Sequence, residues 1–456
     1  MKSFNIGDVC AAVKGSLSMC GLEETVIKSV TTDSRKITEG SLFIPLKGEK
    51  FDGHDFINQA FEKGAVCCLS EKNVDCNGVV IYVEDTRKAL LDLASFYRGL
   101  FDIKVCAITG SVGKTTTKDM IASVLSQKYN TLKTQGNFNN DIGLPLTIFN
   151  LEEEHQAAVF EMGMNNFGEI SRLTAVGRPD VAVITNVGVS HIENLGSREG
   201  ILKAKCEIFE SMDENGIAVL NGDNDMLSTL KGKEKLKTIW FGIEDKSGFY
   251  ADNIVEKGIE GVSCTIHYKE KSIDVNISVP GSHMVLNALA AAAVGYCFGL
   301  SMEEIKKGIE SFVPTGMRME IKKMPCGVTL INDSYNANPV STKAAIDVLA
   351  KSEGVKTAVL GDMLELGTFA EKLHFEVGQY AAQKGIDNII CIGKISESMY
   401  KGALSVKKEG VKYFKSLDKF FENGFNDLLI KDSTMLIKAS HSMSFEKIAE
   451  RLQGVK

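Results

Sequence analysis

In TRKALLDLASFYRGLF (residues 86–101) apolar side chains return every three or four positions, so they share one face and predict a helix. Ahead of it, short apolar runs such as SLFIPL alternate with turn-like KGEKFDG, and residues 1–100 read as a small mixed N-terminal domain. From Lys104 the rhythm changes to an apolar run KVCAIT, a glycine-rich GSVGKT and then TTKDMIASVLSQKY, where Met120, Ile121, Val124 and Leu125 fall on one helical face. AAVFEM, DVAVITNV and GIAVLNGD read as buried strands with helical stretches between several of them. A mostly parallel sheet covered by helices is predicted over residues 101–315. Within it, GVSCTIHYKEKSIDVNISV predicts a hairpin, an antiparallel addition ahead of the helical LNALAAAAVGYC. After Pro314 the runs VTLIND, TAVLGD, NIICIG and MLIKAS alternate with helix-like TKAAIDVLA, FAEKLHFEVGQYAAQ and SLDKFFENGF. This predicts a separate Rossmann-like α/β domain over 316–456. The fold class is therefore α/β in three domains.

A chain of 456 residues agrees with that count at roughly 150 residues per domain. With 44% apolar and 24% charged residues it is neither disordered nor collagen-like. The net charge of -7 argues against a broad nucleic-acid face, so an anionic ligand must be held by local devices. Eleven cysteines without a C-x-x-C spacing read as reduced thiols. The start MKSFNIGDVC has no basic cluster followed by an apolar stretch, and the longest apolar stretch, 288–300, falls short of the ~20 residues that span a bilayer. A soluble cytoplasmic protein, without membrane insertion, is expected.

The chemistry concentrates in a few segments. Gly110-Ser111-Val112-Gly113-Lys114-Thr115, followed by Thr116, lies between a strand and a helix, where backbone N–H groups and the helix N-terminus can converge on phosphate oxygens. Lys114 adds a positive charge there and the Thr115 hydroxyl can ligate Mg2+, although Ile108 stands where the general phosphate-loop expression has glycine. Such a loop alone does not separate a ligase from a kinase, a mechanical ATPase or a nucleotide switch that binds a partner protein. Glu161, at the end of AAVF, is placed either to hold Mg2+ or to be a solvated carboxylate; His191, in VSHIEN, is similarly placed in a loop. In REGILKAKCEIFESM the stripe Ile201, Ile208 and Met212 includes Lys205, so that amine faces inward and its neutral, nucleophilic form becomes available for carbamate formation with CO2. Lys203 points elsewhere and pairs with Glu207 at i+4, as a solvated lysine does.

Taken together, TDSR (32–35), LKGEKFDGHDF (46–56), TGSVGKTTTKDM, GNFNNDIGLPLT, EMGMNNFGEI, TNVGVSHIENLGS, LNALAAAA, INDSYNANP, VLGDMLELG and KASHSMSFEKI resemble the Mur peptide ligases over almost the whole chain. DSYNANP and GDMLELG are similar to the branch that adds D-alanyl-D-alanine, and the DNPR motif of the relatives that add the preceding diamino acid is absent. The resemblance implies an ATP-dependent ligase acting on UDP-MurNAc-tripeptide and D-Ala-D-Ala, monomeric, with two Mg2+ ions. It implies that Thr115 and Glu161 serve one magnesium and that His191 and a carbamylated Lys205 serve the second. It also implies Asn287 at the adenine and Arg318 with Asp333 at the nucleotide. Ser34, Arg35 and Lys47 fall in segments resembling those that hold the UDP portion. Thr134, Asn137, Asn139 and Asn140 fall in the loop facing the muramoyl peptide, with Asn336 and Asn338 near the incoming dipeptide. One departure stands out: the family's KGSRSM is KASHSM here, so His441 replaces a fixed cation by a titratable one.

Overall fold

A computed structural model describes residues 1–233 and 235–455. Near the N-terminus a five-stranded sheet combines parallel and antiparallel pairs. Ser29–Thr31, Ser41–Phe43, Ala65–Ser70 and Val79–Tyr82 run parallel to their neighbours, and Ser16–Leu17 pairs antiparallel at the edge. Ile37, Phe43, Ile57, Ala60, Ala65 and Cys68 form a core beside it. The helix predicted from TRKALLDLASFYRGLF spans Thr86–Gly99. Asp85 caps it by accepting from the N–H groups of Arg87 and Lys88, which stops the chain from entering the helix earlier.

Nine strands form the large sheet: β1 (Lys104–Thr109), β2 (Thr131–Lys133), β3 (Ala157–Glu161), β4 (Val181–Ile184), β5 (Ile217–Asn221), β6 (Lys237–Gly242), β7 (Phe249–Glu256), β8 (Val262–Tyr268) and β9 (Lys271–Ile277). Their order is β9-β8-β7-β6-β5-β4-β1-β3-β2. β3 is parallel to both β1 and β2, and β7 to β6, whereas β7, β8 and β9 are antiparallel, so the predicted hairpin extends the sheet. β1 and β3 carry no polar face: Val105 to Ile108 and Ala157 to Phe160 are fully buried, as a strand covered on both sides requires. The three-residue β2 and the long β7, half of whose residues are polar, have no equivalent in the sequence reading.

The helices that matter for the site are α1 (Lys114–Leu125), α2 (Glu169–Gly177), α3 (Arg198–Cys206) and α4 (His283–Cys297). A last sheet of six strands, four of them VTLIND, TAVLGD, NIICIG and MLIKAS as predicted, is parallel except for the edge strand Glu320–Lys323. Its core gathers Leu330, Val359, Ile390, Phe420, Met435 and Phe445 among others. Two compact units divide the chain: Met1–Thr109 with Lys128–Val183 and Lys205–Ala218, and Gly110–Gln127 with Ile184–Ala204 and Val219–Lys456. All eleven cysteines are free thiols, Cys20 exposed and Cys67, Cys68, Cys106, Cys264 and Cys391 buried. Among the described residues no helix is long and apolar enough to cross a membrane.

Candidate active site

In the unit that begins at Gly110, the glycine-rich loop is built around two conformations that a side chain resists. Gly110 has φ 156°, and a Cβ there would overlap the Thr185 hydroxyl. Gly113, at φ 81°, turns the chain into α1. The loop is braced from the end of β4. Asn186 accepts the Ser111 N–H with its carbonyl (3.0 Å) and grips Val112 with its amide, accepting the N–H and donating to the carbonyl, both at 2.9 Å. Thr185 donates to the same carbonyl, and the Ser111 hydroxyl accepts the Gly188 N–H.

These bonds change one expectation. The N–H groups of Ser111 and Val112 are bonded to Asn186 and not to an anion, which moves the anion-facing part of the loop toward the start of α1, residues 113–116. The first intrahelical bond, Thr117 N–H to Gly113 O, begins just after them. Lys114 stands beside them, half-buried, its Nζ 2.8 Å from the Gly110 carbonyl, and Thr115 is buried. In the sequence Asn186 is only the next-to-last residue of the apolar run DVAVITNV. Its role as a brace depends on a bond pair that no local pattern encodes.

Asn287, on α4, sits against α1 rather than in open space. The Thr117 hydroxyl lies 2.8 Å from Gly113 O and 2.9 Å from the Asn287 amide. The hydroxyl donates toward both the Gly113 carbonyl and the Asn287 Oδ1, while the Asn287 amide nitrogen faces the Met284 sulfur. His191 adopts a left-handed backbone (φ 64°), and its Nδ1 is 3.4 Å from a carboxylate oxygen of Glu365, a residue of the GDMLELG motif that is itself at φ 63°. Two segments singled out separately in the sequence thus meet.

The last elements of this unit form a second cluster. Arg318 stacks its guanidinium 3.8 Å from the centre of the Tyr335 ring. Asp333 accepts the Met319 N–H and pairs with buried Lys438, which also donates to the Asn336 carbonyl. Asn338 is an N-cap: it accepts the Ser341 N–H at the head of helix Pro339–Ala350, a full capping box.

In the other unit, Glu161 ends β3 and is 2% exposed. Its carboxylate accepts from the Asn139 amide (2.8 Å), and its own N–H is held by the Thr134 hydroxyl (3.0 Å). Position alone left Glu161 open to being a solvated strand end; its burial removes that choice. Asn140 caps helix Gly143–Ile148 by accepting from Ile142 and Gly143, while Asn137 is exposed. Lys205 is 1% exposed and Lys203 exposed, as the stripe predicts. Glu207 differs from expectation: it is buried, because its carboxylate accepts the Gly168 and Ser171 N–H groups at the head of α2, where the helix dipole favours an anion. The helix written as one run to Met212 instead ends at Cys206 and tightens into a 3-10 turn, Glu207–Phe209.

Nearer the N-terminus, Arg35 is largely exposed and pairs with Asp33, whose carboxyl is lowered to about 2 by the Arg35 side-chain and backbone hydrogen bonds. Ser34 offers its carbonyl to Lys63, and Lys47 pairs with Asp52 through the backbone in an isolated antiparallel β-bridge.

Three family models match successive stretches: Mur ligase family, catalytic domain, over residues 26–98; Mur ligase middle domain over 108–295; and Mur ligase, glutamate ligase domain, over 317–441. The UDP-N-acetylmuramoyl-tripeptide–D-alanyl-D-alanine ligase of Bacillus subtilis (strain 168) is 41% identical over 455 residues, covering 98% of each chain. A crystal structure of MurF from Acinetobacter baumannii superposes with a TM-score of 0.93 at 32% identity, over 100% of both chains. A MurF ligase from Thermotoga maritima in complex with ADP gives 0.82 at 29% identity, covering 93% of this chain and 97% of that one.

Proposed function

The chain belongs to the Mur ligase family, and on that premise we propose that it joins D-alanyl-D-alanine to the terminal carboxylate of a UDP-MurNAc-tripeptide as ATP becomes ADP and phosphate. The product is the UDP-MurNAc-pentapeptide precursor of peptidoglycan. The observation that carries this reading is the likeness to the Bacillus subtilis ligase along 98% of both chains, at 41% identity.

A bare carboxylate is a poor electrophile, so the tripeptide oxygen first attacks the γ-phosphorus and ADP departs, leaving an acyl phosphate. The dipeptide amine then attacks the acyl carbon and sheds a proton, and phosphate leaves as the amide forms. Phosphoryl transfer of this kind needs positioning and charge more than covalent help. The N–H groups from Gly113 to Thr116 and the Lys114 ammonium supply that charge, with Asn186 and Thr185 keeping the loop in shape.

Mg2+ prefers oxygen donors and keeps waters and phosphate oxygens among its ligands. The Thr115 hydroxyl and the buried Glu161 carboxylate fit that preference, and among the described residues no three His, Cys, Asp or Glu side chains cluster as an all-protein cage. When bound, the cation offsets charge on the phosphate oxygens. For the second ion the resemblance offers His191 and Lys205. CO2 adds to the neutral Lys205 Nζ, one proton leaves, and the carbamate presents two oxygens. The inward placement of Lys205, at 1% exposure against the exposed Lys203, supports this reading. Asn287, Arg318 and Asp333 are proposed at the nucleotide, and the segments of Ser34, Arg35, Lys47, Thr134, Asn137, Asn139, Asn140, Asn336 and Asn338 at the other substrates. A monomeric, cytoplasmic enzyme with domains 1–100, 101–315 and 316–456 completes the reading.

Phosphate release from ATP tests it. Release is expected only with both UDP-MurNAc-tripeptide and D-Ala-D-Ala present; a rate unchanged when they are omitted points instead to a nucleotide switch.

A further inference from the structure

We propose that Tyr335 is a positioning residue for Arg318: its ring holds the guanidinium in the plane and direction from which it meets the nucleotide. This inference rests on the nucleotide-side reading of Arg318 given above. An arginine side chain has four rotatable bonds and many rotamers, so an unheld guanidinium must be ordered each time a ligand binds. Stacked 3.8 Å from the Tyr335 centroid, the guanidinium is pinned by its face while its N–H donors stay directed outward from the edge of the plane.

The backbone around it is held as firmly. Met317 and Met319, on either side of Arg318, are both left-handed, at φ 63° and 50°, a conformation that an unbranched side chain such as methionine adopts only when its surroundings impose it. The surroundings are on hand: the Tyr335 N–H donates to the Met317 carbonyl (3.1 Å), and Asp333 accepts the Met319 N–H (3.1 Å). Tyr335 therefore touches the segment twice, by its amide and by its ring, and both contacts bear on the same side chain. The ring is steadied in turn by His441, stacked at 5.2 Å and 30°. Asp333 is anchored by buried Lys438. Motif residues that no role in the reaction accounted for, Tyr335 in DSYNANP and His441 in KASHSM, thereby acquire one.

The test is a double-mutant cycle on the full-length enzyme, read as the dissociation constant of a non-hydrolysable ATP analogue and as separate KM and kcat for ATP. Tyr335→Leu keeps an apolar side chain but removes the aromatic face. It is expected to weaken analogue binding about tenfold and to raise KM for ATP with a smaller effect on kcat, with KM for the UDP-tripeptide unchanged. Tyr335→Phe keeps the face and is expected within about twofold of the parent enzyme. In an Arg318→Ala background, Tyr335→Leu should add little. Should Tyr335→Leu lower the melting temperature, Tyr335→Met replaces it under the same expectations. If Arg318→Ala weakens the analogue while Tyr335→Leu and Tyr335→Met do not, or if the two effects add fully, positioning by Tyr335 is wrong. If Arg318→Ala itself leaves binding unchanged, the nucleotide reading of Arg318 fails first and this inference falls with it.

Discussion

Lys203 and Lys205 differ by two positions on one helix, and the structure makes one solvated and the other 1% exposed. If Lys205 carries the carbamate, Lys205→Ala lowers the rate of phosphate release by about a hundredfold or more, the scale on which losing a metal-supporting group acts. Lys203→Ala should stay within about twofold of the parent. Equal rates for the two variants in the coupled phosphate assay would remove the carbamate. This contrast was legible in the sequence because a 3.6-residue period assigns a face to each lysine. Glu207 was not, since its burial is caused by two N–H groups at the head of α2, which come from a segment nearly forty residues earlier. Asn186 escaped for the same reason, whereas Gly110 and Gly113 could be placed at once by the backbone freedom that their turn requires.

Helix α1 shows what periodicity leaves out. Met120, Ile121, Val124 and Leu125 are fully buried as expected, but so are Lys118, which borders that face beside Leu125, and Asp119, which points away from it. They pair at 3.3 Å, and Asp119 also accepts the Thr315 hydroxyl, from the segment just ahead of Arg318. A charged pair at 1% and 2% exposure has lost its water, so each member depends on its protein partners. Asp119→Ala should therefore lower stability by roughly 3 kcal/mol, the low end for breaking a buried pair. Asp119→Asn, which can still accept from Thr315, should cost less. Thermal unfolding of the two variants checks this, and an Asp119→Ala protein as stable as the parent would show that the pair contributes nothing. A helical period places the four apolar residues on one face and is silent about the face that carries Asp119. Here later elements cover that face, a tertiary fact beyond the reach of a local period. By contrast, β1, β3, β4 and β5 were readable because a strand covered on both sides needs an unbroken apolar run.

For the whole molecule, the net charge of -7 and the proposed polyanionic substrates coexist because cations are placed one at a time: Lys114 at the loop, Arg318 on its tyrosine, Arg35 and Lys47 in the N-terminal segments. Most of the elements and the two larger sheets could be inferred, since each follows from runs of apolar residues. Which strands neighbour which could not, because pairing is decided between distant segments. The distribution of thiols has a practical consequence. Burial pushes up the thiols of Cys67, Cys68 and Cys391, and those of Cys264 and Cys297 to about 12 and of Cys206 to about 11. Only the thiolate attacks an alkylating reagent, so these sites react slowly at neutral pH. Cys20 is the exposed thiol. Cys10, Cys76 and Cys326 are half-buried, so brief maleimide treatment of the native enzyme should label Cys20 first, as located by peptide mass mapping, and Cys20→Ser should remove that first label; faster labelling at Cys67, Cys68 or Cys391 would contradict the burial described. The unaltered protein thus already offers a preferred coupling point for a fluorophore or a surface tether at Cys20.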